Sequence, residues 1–145
     1  NLWYNEEQPG GGAELEKTEY TQCFGCGKDN PIGLKLDMHV NESDSYADFV
    51  PKPEHQSYDD RMHGGLVSTL IDEVMGNHVF VLTGKPAYTA DLHLRFKDSV
   101  KIGERVRIES HIVSRRGRLF VTKGCVIKEN GTVAVTAEAK LMTAS

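Results

Sequence analysis

The segment His63-Gly64-Gly65-Leu66-Val67-Ser68-Thr69-Leu70-Ile71-Asp72-Glu73 is where residue types and spacing could do chemistry. Two glycines stand where the chain enters an apolar, helix-patterned stretch. Without side chains, Gly64 and Gly65 let a ligand come close to the backbone N–H groups. Those first amides lack intrahelical partners, and the helix dipole adds partial positive charge there. Such an end suits a developing oxyanion. At about 100° per residue, Asp72 falls at the margin of the apolar stripe, beside Ser68 and Val79. A carboxylate on such a margin is partly desolvated, as a general base or nucleophile should be. Glu73 falls near the opposite margin and is expected to be solvated or paired.

Geometry limits how these parts cooperate. His63 and Asp72 lie nine positions apart, which is about 13 Å of helix rise. One carbonyl cannot touch the Gly64 N–H and the Asp72 carboxylate of the same helix. If both serve one site, they come from different chains. Two antiparallel helices about a two-fold axis would pair them twice, so an obligate homodimer is expected.

The surrounding elements follow from periodicity. Residues Ile32–Val40 and Asp44–Val50 read as extended, with Asn41-Glu42-Ser43 as the turn, and Pro51–Met62 reads as a loop. From His63 to about Leu82 the apolar residues Leu66, Val67, Leu70, Ile71, Val74, Met75, Val79 and Leu82 keep helical spacing. Gly84-Lys85-Pro86 stops the helix. Four extended segments follow: Ala87–Phe96, Glu104–Arg115, Arg118–Lys128 and Thr132–Met142. The Asn130-Gly131 pair before the last is a strong hairpin signal. Two strands, one long helix and four strands make an antiparallel α+β fold with the sheet wrapped around the helix.

Length and composition set the outer bounds. The 145 residues suit one domain, with 39% hydrophobic and 26% charged residues. Residues 1–22, acidic and carrying Pro9-Gly10-Gly11-Gly12, are expected as a partly disordered tail, and 23–145 as the domain. The net charge of −4 and pI near 5.9 give no general attraction for nucleic acid or an anionic membrane. No apolar run approaches the roughly 18 residues of a membrane span, and no signal-peptide pattern opens the chain. An odd count of three cysteines argues against a disulfide framework, so a cytoplasmic location is expected. Cys23 and Cys26 form the one CxxC pair. A structural zinc site needs four ligands, so no metal is expected and a tight turn is the default. His55, His78, His93 and His111 show no ligand spacing and are expected at the surface or an interface. An anionic ligand would need local cations. Arg115, Arg116 and Arg118 cluster around Gly117, and Arg95 ends another strand with Lys97; guanidinium groups suit phosphate.

The whole pattern resembles the hotdog-fold acyl-CoA thioesterases, in the branch that contains the phenylacetate-pathway enzymes. The match rests on His63-Gly64-Gly65 with an acid nine residues after the His. It also rests on Cys23-Phe24-Gly25-Cys26-Gly27-Lys28-Asp29-Asn30-Pro31-Ile32-Gly33-Leu34, and on Thr89-Ala90-Asp91-Leu92 with Arg95-Phe96. It spans roughly Cys23 to Met142. The resemblance implies a dimeric hotdog fold that hydrolyses acyl-CoA-type thioesters without a cofactor, coenzyme A being part of the substrate. A homodimer, assembling further into a homotetramer, is implied with it.

The resemblance also implies roles. Asp72 would be the catalytic carboxylate, as general base or nucleophile, and the Gly64 N–H the oxyanion donor. His63 would cap the helix near the thioester, and Thr89 would help position the attacking water. A loop position six residues before the His often carries Asn or Gln in relatives. Ser57 stands there with Gln56 adjacent, so either could reach the site. Gly65, Ser68, Arg95, Arg115, Arg116 and Arg118 are the candidate substrate contacts. Two other functions use the same cleft: a hotdog dehydratase or hydratase, and a non-catalytic acyl-CoA-binding domain.

Overall fold

Apolar residues at three- and four-residue spacing fold into one helix, α1 (Gly64–Thr83), in a computed structural model that describes Glu14 and residues 20–145. His63 is its N-cap, and Gly84, at φ +70°, is the left-handed C-cap whose amide bonds to the Phe80 carbonyl. Val67, Leu70, Ile71, Val74, Met75, His78 and Val79 form the buried stripe.

Six strands make the sheet: β1 (His39–Val40), β2 (Asp44–Phe49), β3 (Ala87–Phe96), β4 (Val106–Arg116), β5 (Leu119–Lys128) and β6 (Val133–Thr143). Their order is β1-β2-β4-β5-β6-β3, every pair antiparallel. This is the hotdog arrangement of one helix against a wrapped sheet. Small residues under the helix let it lie close. A side chain at Gly124 would come within 2.8 Å of the Glu109 carbonyl and 3.6 Å of Met75, and Ala137 and Ala139 are buried nearby in the core. Two buried cations are paired. Lys128 is paired with Asp98 at 2.9 Å and Glu104 at 3.2 Å. Arg107 grips Asp48 at 2.9 and 3.2 Å while stacking on Tyr46.

Two readings of the sequence change. Of the expected extended segment Ile32–Val40, only His39–Val40 joins the sheet. Leu34, Leu36, Met38 and Val40 alternate inward and are buried, which gave the strand-like period, but Lys35 sits at φ 54°, which interrupts an extended run. His78 is fully buried, not at the surface. It continues the stripe one turn after Val74, and its Nε2 meets the Asn41 carbonyl at 3.1 Å. The other strands and the helix stand within two residues of their expected bounds, and Ala87–Phe96 coincides with β3.

Most of the expected tail, 1–22, lies outside the described residues. Tyr20 already packs on Phe80, with ring centroids 5.4 Å apart. Thr21 and Gln22 accept hydrogen bonds from the Asp29 amide and the Asn30 side chain. Among the described residues no helix is long and apolar enough to cross a membrane.

Candidate active site

The site is built at two places on α1, its start and its middle. At its start the His63 Nδ1 accepts a hydrogen bond from the Gly65 amide at 2.9 Å, and the His63 carbonyl accepts from the Leu66 and Val67 amides. The His63 ring lies so close that a Cβ on Gly65 would stand 3.0 Å from it and press on the capping ring. That leaves the Gly64 amide as the helix-entry donor without a partner among the described residues. A side chain at Gly64 would meet only Phe96, at 3.9 Å. Gly64 lines a cleft of about 360 Å³ with Ser57, Met62, Val67 and Phe96. The Gln56 Oε1 instead accepts from the Asp60 amide at 3.1 Å, folding its own loop. Of the adjacent pair, Ser57 is the one that borders this cleft. The Ser68 hydroxyl donates to the Gly64 carbonyl at 2.8 Å, one turn back along the helix.

Two turns further along, Asp72 is half-buried and its Oδ1 accepts from the Thr89 hydroxyl at 2.6 Å. This short contact is the charge-assisted kind. The pairing of β3 with β6 shifts register between Thr89 and Asp91, a bulge next to Thr89. Asp72 and Thr89 line a cavity of about 190 Å³ with Tyr20, Cys23, Cys26, Glu73, Asn77 and Phe80. Asp72 and Gly64 are eight helix positions apart, about 12 Å of rise. The fold thus brings Asp72 to Thr89, and Gly64 to Ser57 and Phe96, but not one pair to the other within a chain.

The arginines divide between places. Register runs Arg116, Leu119, Met142, Tyr88 across β4, β5, β6 and β3, so the Arg115–Arg118 hairpin lies at the Asp72–Thr89 end of the sheet. There Arg115 stacks over Phe120 at 4.8 Å, Arg118 reaches the Thr143 carbonyl at 3.4 Å, and Arg116 is exposed. Arg95 lines an open groove with Asp91, His93, Lys123, Glu138 and Lys140. Alternation along β3, β5 and β6 places that groove on the sheet face away from α1.

Sequence reasoning left Glu73 as a solvated or paired carboxylate and Cys23/Cys26 as a turn. In the fold they meet: Cys23 Sγ lies 3.5 Å from Glu73 Oε1, and one ligand atom from each of the three residues falls within 4.8 Å of the others. Burial, with Glu73 beside it, pushes the Cys26 thiol up. Asn77 was also missed; its Oδ1 is buried without a partner among the described residues. Its spacing of four from Glu73 is the signal that could have placed it on that face.

Comparison with known proteins adds the family context. A family model described as the thioesterase superfamily matches residues 60–135, from the loop before α1 into β6. No curated protein sequence matches significantly. Among solved structures, the chain is similar to a thioesterase superfamily protein at TM-score 0.75 and 21% identity, covering 86% of this chain and 61% of that one. The chain therefore spans about three fifths of that relative's length. It is similar to a Streptococcus mutans protein bound to acetyl CoA, at TM-score 0.70 and 21% identity over 76% of this chain and 89% of that one. It is also similar to a hypothetical thioesterase protein with coenzyme A from Streptococcus pneumoniae, at TM-score 0.71 and 16% identity over 76% and 86%. At these identities the solved structures establish the shared fold.

Proposed function

Because the chain belongs to the thioesterase superfamily, we propose that it hydrolyses acyl-CoA-type thioesters at a site completed by two copies of itself. The observation that carries this reading is the split of the machinery: a carboxylate held by the Thr89 hydroxyl at one place on α1, and an unpartnered helix-entry amide about 12 Å away. The coenzyme A and acetyl CoA of the structural relatives support the class of ligand.

Strand β3 supplies a way to close the gap. It pairs with β6 on one side only, and among the described residues no strand covers its other edge. The strand has ten residues, with Tyr88 62% and Phe96 51% exposed. A long uncovered edge of this kind is a template for another strand. Antiparallel pairing of β3 with the partner's β3 about its middle sets Ala87 opposite the partner's Phe96 and Thr89 opposite the partner's Leu94, two residues from it. Since Phe96 is the neighbour of Gly64, that pairing delivers the partner's Gly64 amide toward Asp72. A two-fold axis repeats the arrangement at the other end.

In the reaction, Asp72 takes a proton from water as the water oxygen bonds to the thioester carbonyl carbon. The carbonyl oxygen gains negative charge and receives the partner's Gly64 N–H. Collapse breaks the C–S bond, and the proton held by Asp72 passes to the leaving thiolate, giving free acid and coenzyme A thiol. The same carboxylate can instead attack the carbonyl carbon itself, forming a mixed anhydride that water then cleaves. Label found in the Asp72 carboxylate after single turnover in H2 18O marks the second route, with water attacking the anhydride at the Asp72 carbon. We assign Arg116 and Arg118, at the Asp72–Thr89 end of the sheet, to the coenzyme A phosphates. Ser57 lines the oxyanion side of the cleft.

A panel of aryl, short, medium and long acyl-CoAs with a thiol-release readout tests the activity, with enoyl-CoA hydration measured beside it. The expected outcome is thiol release that Asp72→Asn lowers by orders of magnitude while the dimer persists. Hydration without thiol release, acyl-CoA binding without turnover, or near-normal release by Asp72→Asn would overturn the proposal.

A further inference from the structure

We infer that Cys23, Cys26 and Glu73 form a zinc-binding site that fastens the CxxC loop to helix α1 beside the candidate active site. Two cysteines three positions apart offer two ligands, too few for a tetrahedral zinc ion. The fold adds the third. Glu73, fifty positions away in sequence, brings a carboxylate oxygen to 3.5 Å from Cys23 Sγ, and the three ligand atoms lie within 4.8 Å of one another.

The dimensions suit the ion. Thiolate sulfur at about 2.3 Å and carboxylate oxygen at about 2.0 Å from a tetrahedral zinc stand roughly 3.5 Å apart. That is the separation already present between Cys23 and Glu73. Soft thiolates with one carboxylate favour zinc over magnesium or calcium, which prefer all-oxygen shells.

The loop is shaped around this meeting point. A Cβ on Gly25 would fall 2.4–2.6 Å from the Glu73 side chain, and one on Gly27 would fall 2.4 Å from the Cys23 amide. Backbone atoms at Gly27 admit no side chain there, and a side chain at Gly25 would displace the Glu73 carboxylate from the cysteines. Backbone bonds hold it there: the Gly27 amide donates to the Cys23 carbonyl at 2.8 Å, Cys23 to Tyr20 at 3.1 Å, and Leu36 to Gly25 at 2.9 Å. All three ligand residues are half-buried and line the same 190 Å³ cavity as Asp72 and Thr89. That cavity has room for a water as the fourth ligand. When the ion binds, each thiol gives its proton to solvent, and Glu73 binds as carboxylate.

The site anchors the loop that follows Tyr20, and it fixes Glu73 next to Asp72. Its test is independent of catalysis. Reduced full-length protein is titrated with zinc ion against a chromophoric chelator, and with cobalt(II) while the near-ultraviolet thiolate-to-cobalt charge-transfer band is followed. The expected result is uptake of a single equivalent per chain and a band that Cys23→Ser and Cys26→Ser each abolish. Glu73→Gln keeps the band but weakens zinc binding by at least on the order of 10–100-fold. Gly25→Ala, which pushes the carboxylate aside, weakens it likewise. If the cysteine variants do not fold, the Glu73→Gln and Gly25→Ala titrations decide. Zinc binding by the wild type no tighter than by Glu73→Gln, or cobalt uptake without a thiolate band, would overturn the assignment.

Discussion

Two inactive variants should restore activity when mixed, if each reaction site draws on both chains. Asp72→Asn removes the base, which is worth about 10²–10⁴ in rate. The second variant has to delete one N–H and nothing else, and the structure identifies Gly64→Pro for this. Gly64 is the first residue of α1, where proline's fixed φ is suited to the helix. His63, at φ −58° and ψ 129°, already has the conformation that a following proline requires. The Gly64 amide has no protein partner to lose among the described residues, and the space beside it is open to 3.9 Å. Loss of one oxyanion donor costs about 10²–10³ in kcat. After co-refolding equal amounts, half of the dimers carry one chain of each kind. Each mixed dimer holds one intact site and one doubly defective site. The mixture should therefore show about a quarter of wild-type kcat per site, against about 1% or less for either parent. A site contained in one chain gives only the average of the parents. Steady-state thiol release reads the rate, and native mass spectrometry confirms that mixed dimers are present. Mixed dimers without recovered turnover would refute the shared site.

Two further substitutions probe single groups. Thr89→Val removes the hydroxyl that donates to Asp72 at 2.6 Å; a hydrogen bond to a charged group is worth about 1.5–3 kcal/mol, so kcat should fall about 10–100-fold. Thr89→Ser should recover most of it, and an unchanged kcat in the valine variant would separate Thr89 from the mechanism. Glu109 concerns stability: burial raises its carboxyl from 4.5 to about 7, with Asp44 and Asp48 adding to the rise and Arg107 opposing it. The folded chain keeps this proton between pH 4.5 and about 7 while the unfolded chain has lost it, so the stabilisation is present below 4.5 and declines as pH rises through that window. Glu109→Gln should therefore gain on the wild type with rising pH, by on the order of 1–3 kcal/mol at pH 8. Urea melts at pH 5 and pH 8 measure this, and a difference independent of pH would contradict it.

What could be read in the sequence was what repeats locally. The helix, its glycine stop and β3 through β6 follow from three-to-four and two-residue periods, each carried by neighbours along the chain. The same rule misled where burial alternates without a sheet partner, as from Leu34 to Met38. His78 was misplaced for a related reason: a histidine on an apolar stripe is buried by its position, whatever its usual preference. Asp72 at the stripe margin was visible, and so was its distance from Gly64. The Cys23–Cys26–Glu73 contact was not, because fifty residues of intervening chain leave no local trace of it.

Which residues share an end of the molecule is a property of the sheet, and no single strand records it. Register connects Arg116 to Tyr88 across three strand pairings, and Phe96 to Val135 and Val126 at the opposite end. The length of β3 therefore separates the two halves of the machinery, and its uncovered edge is the surface through which the proposed dimer would join them. A strand that served only to cover the helix could end in charged or bulged residues along that edge, as solvent-facing edges do. In β3 the register shift falls beside Thr89, while Leu92 to Phe96 pair in unbroken register with β6. Irregularity is thus confined to the place where a side chain must turn toward Asp72, and the remainder stays straight enough to accept a second strand. That division of one strand into an aiming end and a pairing stretch is what a site divided between two chains requires.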